Sequence, residues 1–88
     1  MTTIPVGVWV VIAAYNEGPS LAETLRGLVG FVPNIVVVDD GSEDDTSTHA
    51  AAFPVWLLQH LVNRGQGVAM QTGIEFALKR WCHGDRDV

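Results

Sequence analysis

With 88 residues the chain has room for one small domain and none for a second. It is 48% hydrophobic and 17% charged, a globular composition with no polar low-complexity tract that would argue for disorder. Ten acidic against five basic side chains give a net charge of -5, which repels a phosphate backbone, and no basic patch opposes that field, so nucleic acid is excluded as the leading partner.

The first apolar run, Val8 to Ala13, is rich in β-branched residues and bounded by Gly7 and the polar Asn16 to Pro19 group, which predicts a strand buried on both faces. Leu21, Leu25, Leu28 and Val29 then recur at helical spacing, with Pro19 near the start and Gly30 at the end. A second strand over Ile35 to Val38 is closed by an acidic turn of Asp39, Asp40, Gly41 and Ser42. Ser42 is suited to cap a short helix running to about Ala52, with Asp45 completing a weak capping box. Pro54 ends it, and Val55 to Leu58 forms a third strand before His60. The last helix spans about Gly67 to about Cys82, with Met70, Ile74, Ala77, Leu78 and Trp81 on one face. Strand followed by helix three times over predicts an α/β fold: a parallel sheet with helices on its faces and right-handed crossovers.

In such a sheet the polar loops beyond the carboxyl ends of the strands gather at one edge. Three polar groups fall there: Tyr15, Asn16 and Glu17; Asp39 to Ser42; and His60 with Asn63, Arg64, Gly65, Gln66 and Gly67. Alternation along the strand sends one of Asp39 and Asp40 toward a ligand and the other toward the opposite side or the loop backbone, and turn chemistry, ligand recognition and metal binding all stay open for the pair. Gly41 offers a backbone conformation closed to other residues, while Glu43 and Asp44 read as solvated acids at a helix start. Tyr15 suits stacking on a planar base or plugging a core edge, and Glu17 suits ligand binding or capping. Arg64, followed by Gly65 and Gly67, suits either a diphosphate or a plain turn.

Other chemistries find less support. The segment from Asn63 to Gly67 lacks the P-loop spacing with its Lys and Ser/Thr pair, and no Gly-x-Gly-x-x-Gly fingerprint follows the first strand. His49, His60 and His83 have no common ligand spacing and read as surface residues; Cys82 reads as packing, and Ser20, Ser42 and Ser47 lack a nucleophile-elbow context. The single cysteine forms no internal disulfide, the start has no signal-peptide pattern, and the run from Val8 to Ala14 is too short to cross a bilayer. A cytoplasmic setting, or the cytoplasmic face of a membrane within a longer chain, is the expectation.

Three ordered segments, Val11 to Glu17, Ile35 to Thr46 and Asn63 to Ala77, together resemble family-2 glycosyltransferases of the GT-A fold, including polyprenyl-phosphate sugar transferases. The resemblance implies that residues 1–88 are the amino-terminal nucleotide-sugar-binding portion of a GT-A domain, an incomplete three-layer α/β/α sandwich with a Rossmann-like parallel sheet. It implies Ala13 and Tyr15 at the nucleobase, Glu17 in the donor site, Asp40 on the base of a uridine or related diphosphate sugar, and Asp39 in support. Arg64, Gly65, Gln66 and Gly67 would line the donor pocket, and Gly73 would let the last helix pack closely. Some relatives carry Lys where this chain has Gln66, which shifts the positive charge onto Arg64, backbone donors and a metal.

In the family, Mg2+ or Mn2+ is held by an Asp-x-Asp motif after the next strand. Asp85 and Asp87 have that spacing but do not follow a completed apolar strand, so they are not assigned the role. The expectation is therefore a donor-binding segment without transferase activity of its own, with an exposed sheet edge prone to self-association. A non-catalytic nucleotide-binding or interaction protein of the same fold is the alternative. A response-regulator-like phosphoacceptor domain lacks its later aspartate and lysine.

Overall fold

A computed structural model of the chain describes residues 8–80. Its elements are β1 (Trp9–Ala14), α1 (Gly18–Leu28), β2 (Asn34–Asp40), α2 (Thr46–Ala51), β3 (Trp56–His60) and α3 (Gln66–Lys79). The three strands pair in parallel in the order β1-β2-β3, with Val11 opposite Val36 on one side of β2 and Val38 opposite Leu58 on the other. The sheet is thus the expected Rossmann-like α/β arrangement, with three strands among the described residues.

The branched run Ile35 to Val38 forms the centre because β2 has a neighbour on each edge and helices on both faces. Val36, Val37 and Val38 are each 0% exposed. Strand alternation divides the core in two. Ile35 and Val37 face α1 and α2, where they meet Leu21, Leu25 and Ala50. Val36 and Val38 face α3, where they meet Ala69 and Ala77. Each fully buried side chain of this size contributes about 1.5–3 kcal/mol relative to exposure. At the amino-terminal end of the α3 face, Trp56 sits between Trp9 and Phe76, with ring centroids 5.1 and 6.1 Å away, and the Arg80 guanidinium lies 5.2 Å over it.

Four local expectations are corrected. Among the described residues β1 is an edge strand, and its apolar run is half-buried from Trp9 to Ala13 instead of buried on both faces. β2 continues through Asp39 and Asp40, which are strand residues only 3% and 2% exposed, and the turn begins after them. Ser42 does not cap α2; the helix starts four residues later with Asp45 at its N-cap and no side-chain cap bond, because the Ser42 hydroxyl is engaged by the β1 loop.

The fourth correction concerns α3. Ala69, Gly73 and Ala77 face the sheet, while Ile74 and Leu78 are 46% and 55% exposed. Gly73 explains the rotation: a Cβ there would lie 2.4 Å from Val11 Cγ1 and 3.1 Å from Val38 Cγ2. The helix sits so close that its contact stripe must be small. Trp81 and the helix end expected at Cys82 lie outside the described residues.

Candidate functional site

The loop after β1 and the loop after β2 are stitched together side by side. Asn16 adopts φ 52°, and its backbone N–H donates to Ser42 Oγ at 2.9 Å, while its own Oδ1 accepts the Glu43 N–H at 2.9 Å. The next residue repeats the device, with Glu17 N–H donating to Thr46 Oγ1 at 3.0 Å. Thr46 is fully buried, and both its backbone N–H and its hydroxyl donate to Asp44 Oδ1. Those bonds, the hydroxyl's first, hold the Asp44 carboxyl below the usual carboxylate range against the opposing effect of burial. Asp44 is therefore a loop anchor, beyond the solvated acid expected of it.

Asp39 and Asp40 diverge as strand neighbours must. Asp39 Oδ1 accepts the Ser42 N–H at 3.0 Å, so this carboxylate shapes the turn from behind. Asp40 turns to the third loop. Its Oδ1 accepts His60 Nδ1 at 2.7 Å and the Arg64 N–H at 2.9 Å; its Oδ2 accepts the Gly65 N–H at 2.8 Å and Asn63 Nδ2 at 3.1 Å. The His60 hydrogen bond is the strongest influence on Asp40 and, with the two backbone donors, lowers its pKa despite burial. His60 is directly opposite Asp40 in the β2–β3 register, and its far nitrogen, Nε2, lies 3.0 Å from Thr72 Oγ1 on α3.

Two glycines make this wrapping sterically feasible. Gly41 has φ 74°, and a Cβ on it would stand 2.4 Å from the Val62 carbonyl carbon and 2.5 Å from Asn63 N. Gly65 has φ 100° and presents its N–H to Asp40 just as the chain enters α3.

Between the three loops lies a cavity of about 450 Å³, lined by Ala13, Ala14, Tyr15, Glu17, Asp40, Asn63, Gly65 and Gln66. Of the residues singled out in the sequence, Ala13, Tyr15, Glu17, Asp40, Gly65 and Gln66 are wall residues. Asp39, Arg64 and Gly67 are not: Asp39 is tied to its own turn, Arg64 contributes its backbone N–H to Asp40, and Gly67 lies in the first turn of α3. Asn63 and Ala14 join the wall. His60, read as a surface residue, is instead a partner of Asp40 with 12% side-chain exposure. The strand register that sets them opposite one another is the signal that finds it.

The donor set does not make a metal site. Glu17 is the one wall carboxylate not already engaged by the chain's own donors, and among the described residues no group of three or more His, Cys, Asp or Glu side chains could hold an ion. Asp85 and Asp87 lie outside the described residues. Among the described residues, no helix is long and apolar enough to cross a membrane.

A parallel α/β sheet carrying a loop-built cavity at the carboxyl ends of its strands has the arrangement in which α/β domains bind their ligands. Comparison with known proteins is more specific: the model of the family described as "Glycosyl transferase family 2" matches residues 9–82. The chain belongs to glycosyl transferase family 2. It is 48% identical over 73 residues to the uncharacterized protein MJ1222 of Methanocaldococcus jannaschii, a match covering 81% of this chain and 30% of that protein. It is 38% identical over 77 residues to the succinoglycan biosynthesis protein ExoO of Rhizobium meliloti, covering 81% and 22%. The uncharacterized glycosyltransferase YaiP of Escherichia coli is 34% identical over 74 residues, covering 76% and 19%. The chain thus spans less than a third of the length of each of these three relatives. No solved structure matches at a significant level.

Proposed function

We propose that this chain is the donor-binding part of a GT-A glycosyltransferase that moves a sugar from a nucleoside-diphosphate sugar to an acceptor. The observation that carries the proposal is the three-loop cavity at the carboxyl ends of the strands in a family-2 chain. Its volume lies within the roughly 300–1,000 Å³ of small-molecule pockets.

In this reading the exposed Tyr15 ring covers a planar base, uracil being the first choice, beside the small Ala13. Glu17 accepts from a ribose or sugar hydroxyl, and Gln66, Gly67 and the Arg64 side chain meet the diphosphate at the start of α3. Asp39 supports this surface through Ser42. The likeness to polyprenyl-phosphate sugar transferases belongs to the same proposal, as does a reducing, cytoplasmic setting for a sequence with one cysteine. Residues 1–88 alone bind donor without transferring it, since no metal-holding carboxylate set occurs among the described residues and no general base is assigned.

Calorimetric titration of the purified chain with UDP and with UDP-sugars, with and without Mn2+, tests the reading alongside a product assay with acceptor. Saturable UDP binding, weakened by Glu17→Ala and by Tyr15→Ala, is expected, with no sugar transferred. Absence of nucleotide binding would overturn the donor-site reading, and sugar transfer would overturn the claim that these residues are inactive alone.

A further inference from the structure

We propose that Thr46 and Asp44 are positioning residues for Glu17: reaching across from the loop after β2, they cap the start of α1 and so leave the Glu17 carboxylate free to meet the ligand. The inference rests on the donor-site reading above, and it gives a task to two residues outside the cavity wall.

An α-helix begins with four backbone N–H positions that have no partner within the helix. In α1 these are residues 17–20, since the Leu21 N–H makes the first helical bond, to the Glu17 carbonyl at 2.7 Å. Pro19 carries no N–H. The Glu17 N–H donates to Thr46 Oγ1 at 3.0 Å, and the Gly18 N–H donates to the Asp44 carboxylate. Glu17 itself stands at the N-cap, where an acceptor side chain ordinarily turns back onto such donors, yet it makes no cap hydrogen bond. With those donors met from the neighbouring loop, the Glu17 side chain is exposed and lines the cavity.

The direction of the Thr46 hydroxyl follows from its two partners. A hydroxyl has one proton to give, and an ionised carboxylate only accepts. The Thr46 hydroxyl therefore donates to Asp44 Oδ1 and turns a lone pair toward the Glu17 N–H. Thr46 is 0% exposed, so it acts on a ligand through the groups it holds. The two helix starts meet closely enough to leave no room for a side chain at position 18: a Cβ on Gly18 would stand 2.7 Å from His49 Cδ2 and 2.9 Å from Asp45 Oδ1.

Calorimetric titration with UDP over a double-mutant cycle separates positioning from plain support of the fold. Thr46→Val keeps the shape and removes the acceptor. It should weaken UDP about fivefold in the parent and by less than about twofold where Glu17 is already replaced by alanine. Thr46→Ser, which keeps the hydroxyl, should bind within about twofold of the parent. An equal loss in both backgrounds would show that Thr46 serves the fold alone and would overturn the proposal. If Thr46→Val does not fold, Asp44→Ala replaces it, because it frees the Thr46 proton to turn toward Glu17. About a threefold loss is then expected, again absent in the Glu17→Ala background, and no loss in the parent background counts against the proposal.

A second measurement needs no ligand. Amide exchange at Glu17, followed by NMR, should accelerate about tenfold in Thr46→Val and stay near the parent rate in Thr46→Ser. An unchanged rate in Thr46→Val overturns the cap. If the parent chain binds no UDP, the donor-site reading fails, and the exchange rate alone decides whether Thr46 holds Glu17.

Discussion

Gly41 passes beneath the loop after β3 with less clearance than any side chain allows, and its φ of 74° adds a conformational cost for any L-residue. Gly41→Ala is therefore expected to lower stability by about 1–3 kcal/mol, read as a lower urea midpoint with an unchanged slope. Asp40 and Asp44 supply a second prediction. Both ionise at lower pH in the folded chain than the ordinary 3.8, Asp40 chiefly through His60 and Asp44 chiefly through Thr46. The unfolded chain then binds more protons on acidification, so the stabilisation is complete above the ordinary value and is lost as pH falls through the depressed one. Thermal midpoints should hold down to about pH 5 and fall below it, with a shallower fall in Asp44→Asn. Strand alternation in the sequence was enough to separate Asp39 from Asp40. It was not enough to find His60, because a histidine's partner across a parallel sheet depends on register, which no local pattern records.

The strands and helices themselves were legible, since branched runs alternate with helical periodicity and most end at Gly, Pro or a polar turn. The orientation of α3 was not. Large residues dominate a hydrophobic count, so Ile74 and Leu78 outweighed Ala69 and Gly73, although it is the small stripe that permits close approach to Val11. This gives two glycine substitutions opposite signs. In an open helix site Ala is favoured over Gly by roughly 1 kcal/mol. Gly27→Ala, with nothing within 4 Å of the added carbon, should raise stability by up to that amount. Gly73→Ala should lower it by about 1–3 kcal/mol, and pairing it with Val11→Ala should cost less than the two single changes summed. Equilibrium urea unfolding of the four variants measures both signs and the coupling.

For the molecule as a whole, a three-stranded sheet leaves β1 with one strand neighbour among the described residues and an unpaired row of backbone groups on its other side. An unfolding midpoint that rises as the chain is concentrated from about 5 to 500 µM is expected if copies cover that edge; a midpoint independent of concentration, with a monomer by sedimentation, would exclude it. The layered fold was readable because a parallel sheet needs both faces covered, and the gathering of three loops followed from strand direction alone. The cross-stitching of Asn16 with Ser42 and Glu43 was not readable, because it joins side chains to backbone across 26 and 27 positions. The central place of β2 also has a consequence for synthesis. Val36 and Val38 emerge from the ribosome well before Ala69 and Ala77, the residues that close their face of the core. At about 5–20 residues per second the nascent chain carries that uncovered valine ridge for roughly two seconds or more, a window in which a holdase chaperone would meet it before its own last helix does.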